Sequence, residues 1–294
     1  MKLLLREARM ELSPGEPLLM GIVNAAPDSF SDPGRRAPAE LLERGRELAA
    51  AGARLIDVGG ESGRTDRPPV SEDEEAARVV PVVERLAHDG LLLSVDTWRA
   101  GVAHAALEAG AAMINDVSGL SEPELAGTCA EHGAALVLTH TRLPPKRKGF
   151  PGYQDVVADV VGFLRERGAE ARRRGLAQER LVYDPGIDLA KTPAESIELL
   201  RRLPELRALG RPLLVAVSRK DFVGALTGRA PSARDAGTLA ALGTAADGGA
   251  AILRVHDVAA ARDYLRVREV LHGKRAVPES LRVPERLRRE GEAA

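Results

Sequence analysis

Eight short apolar runs punctuate the chain, each giving way to a polar or charged cluster: residues 18–24, 54–62, 91–97, 112–117, 135–140, 181–186, 213–220 and 251–257. Most are separated by stretches rich in Ala, Leu, Glu and Arg with helical character. Runs apolar at successive positions read as strands buried on both faces, the habit of a parallel sheet covered by helices. Eight such units predict an α/β fold, a (β/α)8 TIM barrel in a single domain. The polar ends of the runs then ring one mouth of the barrel, where this architecture keeps its active site.

Helical spacing predicts helices over 39–53, where Leu41, Leu42, Leu48 and Ala49 share a face, and over 102–111, 122–134, 154–175, 194–210 and 235–250. Ser71 reads as an N-cap with Glu74 as its capping-box partner. Gly175, after a cationic run, reads as a C-cap. The loops at 25–40 and after the second strand are too long for connectors and predict function. The Pro/Gly-rich basic segment 144–153 reads as a mobile loop with solvated charges. The domain division expected is an N-terminal segment 1–17 covering the barrel bottom, a barrel over 18–272, and a charged, Pro-punctuated tail 273–294.

Size and charge narrow the function classes. The 294 residues suit one barrel domain, and a net charge of -1 leaves no electrostatic footprint for nucleic acid or membrane. Cys129 is the only cysteine, so no intrachain disulfide forms, and a small buried residue in a reducing compartment is expected. The opening MKLLLREARMEL is interrupted by charges and lacks a signal peptide's apolar core. No run reaches the roughly 18 apolar residues of a membrane span. A cytoplasmic protein is expected.

The chemistry lies at the strand ends. Asn24 and Asn115 are the only two asparagines, and both stand there. Asp96 and Asn115 end strands three and four, and Asp184 ends strand six. Buried carboxylates are costly without partners. Two carboxylates and an amide suit the hydrogen-bonding edge of a flat, nitrogen-rich heterocycle; a structural salt-bridge network inside the barrel is the alternative. Arg219 and Lys220 follow strand seven. Arg254 and His256, two apart on strand eight, face the same side and make an anion site, unless Arg254 pairs with Asp257. Asn24 opens a loop holding Asp28, Ser29, Ser31 and Asp32, oxygen ligands that suit Mg²⁺ shared with substrate phosphates. His140 ends strand five as a base, a pocket wall or a structural group. No H-x-H or H-x-x-x-H pair exists, which disfavours a zinc hydrolase.

GIVNAAPDSFSDPG, LIDVGGESGR, SVDTW, INDV, DPGIDLAKT, VSRK and RVHDV occur in the order and near the spacings of the dihydropteroate synthase family, which the chain resembles over about residues 18–260. The resemblance implies a transferase of folate biosynthesis that joins a dihydropterin methyl diphosphate to 4-aminobenzoate with Mg²⁺ and releases pyrophosphate. It also implies a sulfonamide target and a homodimer built on the later helices. Carried over, Asp96, Asn115, Asp184 and Lys220 match the pterin pocket, Arg254 and His256 the diphosphate site, and Asn24 the metal ligand. Ser218 and Lys220 match positions near the aminobenzoate, and Arg64 matches a catalytic-loop arginine. The chain departs from the family at Ala26 before Pro27, at Ser62-Gly63-Arg64-Thr65, at Asp188-Leu189-Ala190-Lys191 where the family has Gly-Phe-Gly-Lys, and at Thr139 where it has Met. Two alternatives follow: a pterin-binding relative without the transfer reaction, motivated by these departures, and a pterin-dependent methyltransferase, against which the SRK lysine and the PDSFSD loop argue.

Overall fold

The computed structural model describes residues 1–26, 38–63, 65, 67–284 and 287–288. A short antiparallel hairpin comes first, β1 (Lys2–Leu5) and β2 (Ala8–Glu11). Eight parallel strands follow: β3 (Leu18–Asn24), β4 (Leu55–Gly59), β5 (Leu93–Asp96), β6 (Met113–Asp116), β7 (Ala135–Thr139), β8 (Leu181–Asp184), β9 (Leu214–Val215) and β10 (Ile252–Val255). They pair in the order β8-β7-β6-β5-β4-β3-β10-β9. A parallel bridge between Tyr183 and Leu213, with Tyr183 N–H donating to the Pro212 carbonyl at 3.0 Å, joins β8 to the β9 side and closes the (β/α)8 barrel.

The helices on the outside are α1 (Pro38–Ala51), α2 (Glu72–His88), α3 (Ala100–Glu108), α4 (Glu124–Glu131), α5 (Val156–Arg173), α6 (Pro193–Arg201), α7 (Asp221–Thr227), α8 (Asp235–Gly248) and α9 (Val258–Leu271). The sequence pattern did not announce α7 or α9: the first is short and the second is interrupted by Arg and Asp. Ser71 caps α2 by accepting from Glu74 N–H at 3.2 Å, but the Glu74 carboxylate turns to Arg78, so the expected box is only half formed. The complete box is at α6, where Thr192 accepts from Glu195 N–H at 3.2 Å and Glu195 accepts from Thr192 N–H at 2.7 Å. Gly175 turns left-handed after α5, at φ 93°. Residues 273–284 are exposed and belong to no helix or strand.

Strand alternation divides the apolar residues into two cores. One set points outward against the helices, including Leu19, Ile56, Val58, Leu93, Val95, Leu136 and Leu138. The other points inward: Met20, Leu55, Met113, Val137, Val182, Leu214 and Ile252 fill the lower barrel and pack with Leu3 and Leu5 of the hairpin. Below that layer the barrel is a packed core. The site lies above it.

Candidate active site

Two residues beyond each inward apolar side chain, the strand presents its next inward residue. There the chemistry changes. Asp57 follows Leu55, Asn115 follows Met113, Thr139 follows Val137, Asp184 follows Val182, and Arg254 follows Ile252. One residue pair higher stand Asn24, Gly59, Asp96 and His256, with Asn24 paired in register with Gly59 and Gly59 with Asp96. Asn24, Asp96, Asn115, Asp184, Ser218, Lys220, Arg254 and His256 all line one cavity of about 1010 Å³ at the mouth. Arg64 and the first-loop residues Asp28, Ser29, Ser31 and Asp32 lie outside the described residues.

The floor is a charge network. Arg254 Nε donates to Asp57 at 2.6 Å and its Nη2 donates to Asp96 at 2.8 Å. Asn115 Nδ2 donates to the same Asp57 oxygen at 3.1 Å. Burial works against the Arg254 charge, and Asp57 and Asp96 more than offset it, so the guanidinium is held charged. Asp257 is not its partner; it caps α9 by accepting from Ala260 N–H at 2.9 Å. Asp57 is the residue that strand-end reading missed. It sits inside its apolar run, two positions before the end, and its signal was a carboxylate in phase with the barrel interior.

The network leaves acceptors open. Asn115 Oδ1 is buried without a partner. Asp184 is buried and uses Oδ1 for Gly186 N–H at 2.7 Å, while burial raises its carboxyl above the usual range. Burial likewise raises Asp96 against the pull of Arg254. An unsatisfied buried acceptor is unfavourable by about 1–3 kcal/mol until a donor arrives. Asn115, Asp184 and Asp96 together therefore favour a ligand that brings N–H donors.

The anion side is built differently from its sequence reading. Burial pushes the His256 imidazole down to about 3, with Arg254, Arg219, Lys220 and Arg44 adding to it, so it is neutral at pH 7. Ser218 Oγ is hydrogen-bonded with His256 Nδ1 at 2.8 Å, which fixes the ring's orientation. Arg44 of α1 holds the His256 carbonyl at 2.8 Å. His256 is thus a neutral polar group on this side, while the charges come from Arg254 and Lys220.

His140 is neither base nor pocket wall. It is wholly buried; its Nε2–H donates to Asp159 at 2.8 Å and Nδ1 accepts from Lys191 Nζ at 2.8 Å. Lys191 Nζ also donates to the Gly186 carbonyl at 2.9 Å and the Leu189 carbonyl at 3.1 Å. Burial pushes His140 down to about 3 and Lys191 down to about 7. These residues clamp the loop after β8, in which Gly186, Asp188 and Ala190 are left-handed at φ 68°, 63° and 52°. Gly186 has to be glycine, because a Cβ there would run into the His140 carbonyl. Across the mouth, Arg99 pairs with Glu61 at 2.9 Å and with buried Glu75, and donates to the Val70 carbonyl at 2.9 Å, which fixes the base of the second loop.

Comparison with known proteins identifies this arrangement. Residues 20–256 match the model of the pterin binding enzyme family. The dihydropteroate synthase of Synechocystis sp. is 40% identical over 258 residues, 86% of this chain and 89% of that protein. The chain belongs to the dihydropteroate synthases. The Yersinia pestis dihydropteroate synthase, solved with a sulfonamide drug, superposes with a TM-score of 0.87 at 38% identity, over 94% of this chain and 100% of that one. The Xanthomonas albilineans dihydropteroate synthase, solved with 7,8-dihydropteroate, gives 0.82 at 42% identity, over 94% and 100%.

Proposed function

We propose that this chain condenses a (7,8-dihydropterin-6-yl)methyl diphosphate with 4-aminobenzoate to give 7,8-dihydropteroate and pyrophosphate. The observation that carries the reading is the unpartnered, buried Asn115 Oδ1 sharing one cavity with the Asp184 and Asp96 carboxylates and the Arg254 guanidinium. Asp184, Asn115 and Asp96 receive the pterin N–H donors. Lys220 flanks the ring, and Arg254, His256 and Lys220 face the diphosphate. An arylamine is uncharged at pH 7 and needs no strong base; the barrier is scission of the carbon–oxygen bond. Cationic groups preorganised around the departing oxygens lower it. Asp96 and Asp184 favour the positive charge that spreads from the methylene into the pterin. Arg64 and the two long loops complete the amine side and exclude water, which would capture the same cation.

The reading includes Mg²⁺. Among the described residues no group of three or more His, Cys, Asp or Glu side chains is arranged to hold a metal. Asn24, at the end of β3 and on the cavity wall, offers one amide oxygen. One protein oxygen fits an ion carried mainly by substrate phosphates and water. When bound, the metal supplies positive charge to the leaving diphosphate.

A homodimer and a cytoplasmic location belong to the same proposal. Val267 and Leu271 lie one turn apart on α9 and are 58% and 79% exposed, an apolar stripe that a second subunit would cover. No helix among the described residues is long and apolar enough to cross a membrane. The deciding assay mixes the protein with the pterin diphosphate, 4-aminobenzoate and Mg²⁺ and follows pyrophosphate. Release that depends on the amine is expected. Tight pterin binding without release would leave the non-catalytic relative as the reading.

A further inference from the structure

The basic segment between β7 and α5 keeps Arg147 and Lys148 exposed, as expected of solvated charges, but Lys146 is tied down. Lys146, left-handed at φ 65°, donates from Nζ to the Ser62 carbonyl at 2.8 Å and lies 3.6 Å from Glu61, at the base of the second loop. Its side chain is only 10% exposed. Tyr153, at the other end, donates its hydroxyl to the Ala190 carbonyl at 2.9 Å, in the loop after β8. The chain between these ties therefore spans the mouth from one loop to the other. Gly149 packs on Leu143, where a Cβ would approach to 2.9 Å.

The span carries two side chains with no structural task. Phe150 is 55% exposed yet lines the cavity. Burial of a phenyl ring is worth about 2 kcal/mol, so an exposed ring at a cavity rim is poised to gain from a ligand. Trp98, the other large aromatic side chain on the cavity wall among the described residues, already lies under the Arg99 guanidinium at 4.6 Å. Arg147 also lines the cavity, and among the described residues its guanidinium forms no ion pair.

The floor and this span ask for different chemistry. The floor offers acceptors to N–H donors. The span offers an apolar ring face and a cation, which an arene bearing a carboxylate requires. We propose that residues 143–153 form a strap across the mouth, whose Phe150 ring walls the arene of the amine substrate and whose Arg147 pairs with its carboxylate. The proposal rests on the dihydropteroate synthase reading, because that reaction is what brings 4-aminobenzoate to the site.

The test measures steady-state pyrophosphate release and calorimetric binding of 4-aminobenzoate with pterin and pyrophosphate present. Phe150→Ala should raise the KM for 4-aminobenzoate about tenfold, leave the KM for the pterin diphosphate in place, and leave Tm in place because the ring is exposed. Phe150→Tyr should restore the amine KM. Arg147→Ala should raise the KM for 4-aminobenzoate about tenfold but not that for aniline, which has no carboxylate. Wild-type turnover with unchanged amine KM and affinity in both alanine variants would overturn the strap and leave the function standing. A wild-type chain that neither binds nor converts 4-aminobenzoate would overturn both.

Discussion

The floor of the cavity and its rim are built on different principles. The floor residues Asp57, Asp96, Asn115, Asp184 and Arg254 stand on strands, held in register by ladder hydrogen bonds. The rim is made of loops, and it stores backbone strain. Of the six non-glycine residues with positive φ among the described residues, four line the cavity: Lys146, Asp188, Ala190 and Arg219. None lies on a strand. Such a conformation is unfavourable by about 1–3 kcal/mol and persists only where its surroundings impose it. On the proposed function, the floor fixes recognition of the heterocycle, while the rim is free to vary the wall facing the second substrate.

The largest break in that comparison should come from Arg254→Met. It leaves buried Asp57 and Asp96 without their cation, a loss of about 3–5 kcal/mol of stability, read as a lower denaturation midpoint at pH 7. Binding of the diphosphate substrate should fall with it. A loss below about 1 kcal/mol would mean that the floor is not a coupled network. Asp184→Asn comes next. It keeps the shape and the Gly186 contact but removes the charged acceptor. A hydrogen bond to a charged group is worth about 1.5–3 kcal/mol, so pterin affinity should fall about 10- to 100-fold by calorimetry. Unchanged affinity would remove Asp184 from the pterin's partners.

The same division explains how much was legible in the sequence. Periodicity exposed the eight strands, and with them the barrel, because continuous apolar runs are what a doubly covered parallel strand requires. The floor was nearly as legible, since a polar residue that ends a buried run has to face the mouth. Asp57 escaped because it interrupts its run instead of ending it. The rim was not legible. Nothing local says that Lys146 reaches Ser62 or that Tyr153 reaches Ala190, because these ties depend on which loops the closed barrel sets side by side. The choice among three roles for His140 stayed open for the same reason: the partners that make it a structural group, Asp159 and Lys191, are 19 and 51 residues away.

The clamp beneath the rim gives a smaller effect. Burial holds His140 at about 3 in the folded chain, whereas an unfolded histidine titrates near 6.5. Between those values the unfolded chain binds a proton that the folded chain refuses, so this group makes stability rise with pH, by up to about 1.4 kcal/mol per unit. Asp116, raised by burial to about 6, acts in the opposite sense: the folded chain keeps a proton that the unfolded chain releases above about 4. The difference between chains isolates the histidine. The stability slope of His140→Gln between pH 4 and 6 should be shallower than that of wild type by about one proton. Equal slopes would show that His140 accepts a proton within the fold and that the clamp is not held neutral.

The smallest effect sharpens the comparison most, because it changes sign between regions. Ala190 sits at φ 52° in the rim. A Cβ in left-handed backbone is unfavourable by about 1–2 kcal/mol, and glycine removes that strain while adding about 0.5–1 kcal/mol of unfolded-state entropy. Ala190→Gly should therefore stabilise the protein by up to about 1 kcal/mol, a rise in Tm of roughly 2 °C. Ala49→Gly, within α1, has no strain to relieve and should destabilise by about 1 kcal/mol. The Tyr153 hydrogen bond survives the first change, since it uses the Ala190 carbonyl. Stabilisation with a raised KM for 4-aminobenzoate would show that the strain at 190 is retained because it stiffens the amine wall. Stabilisation with KM unchanged would mean that the strap alone sets that wall, and destabilisation would show that the rim stores no strain at this position.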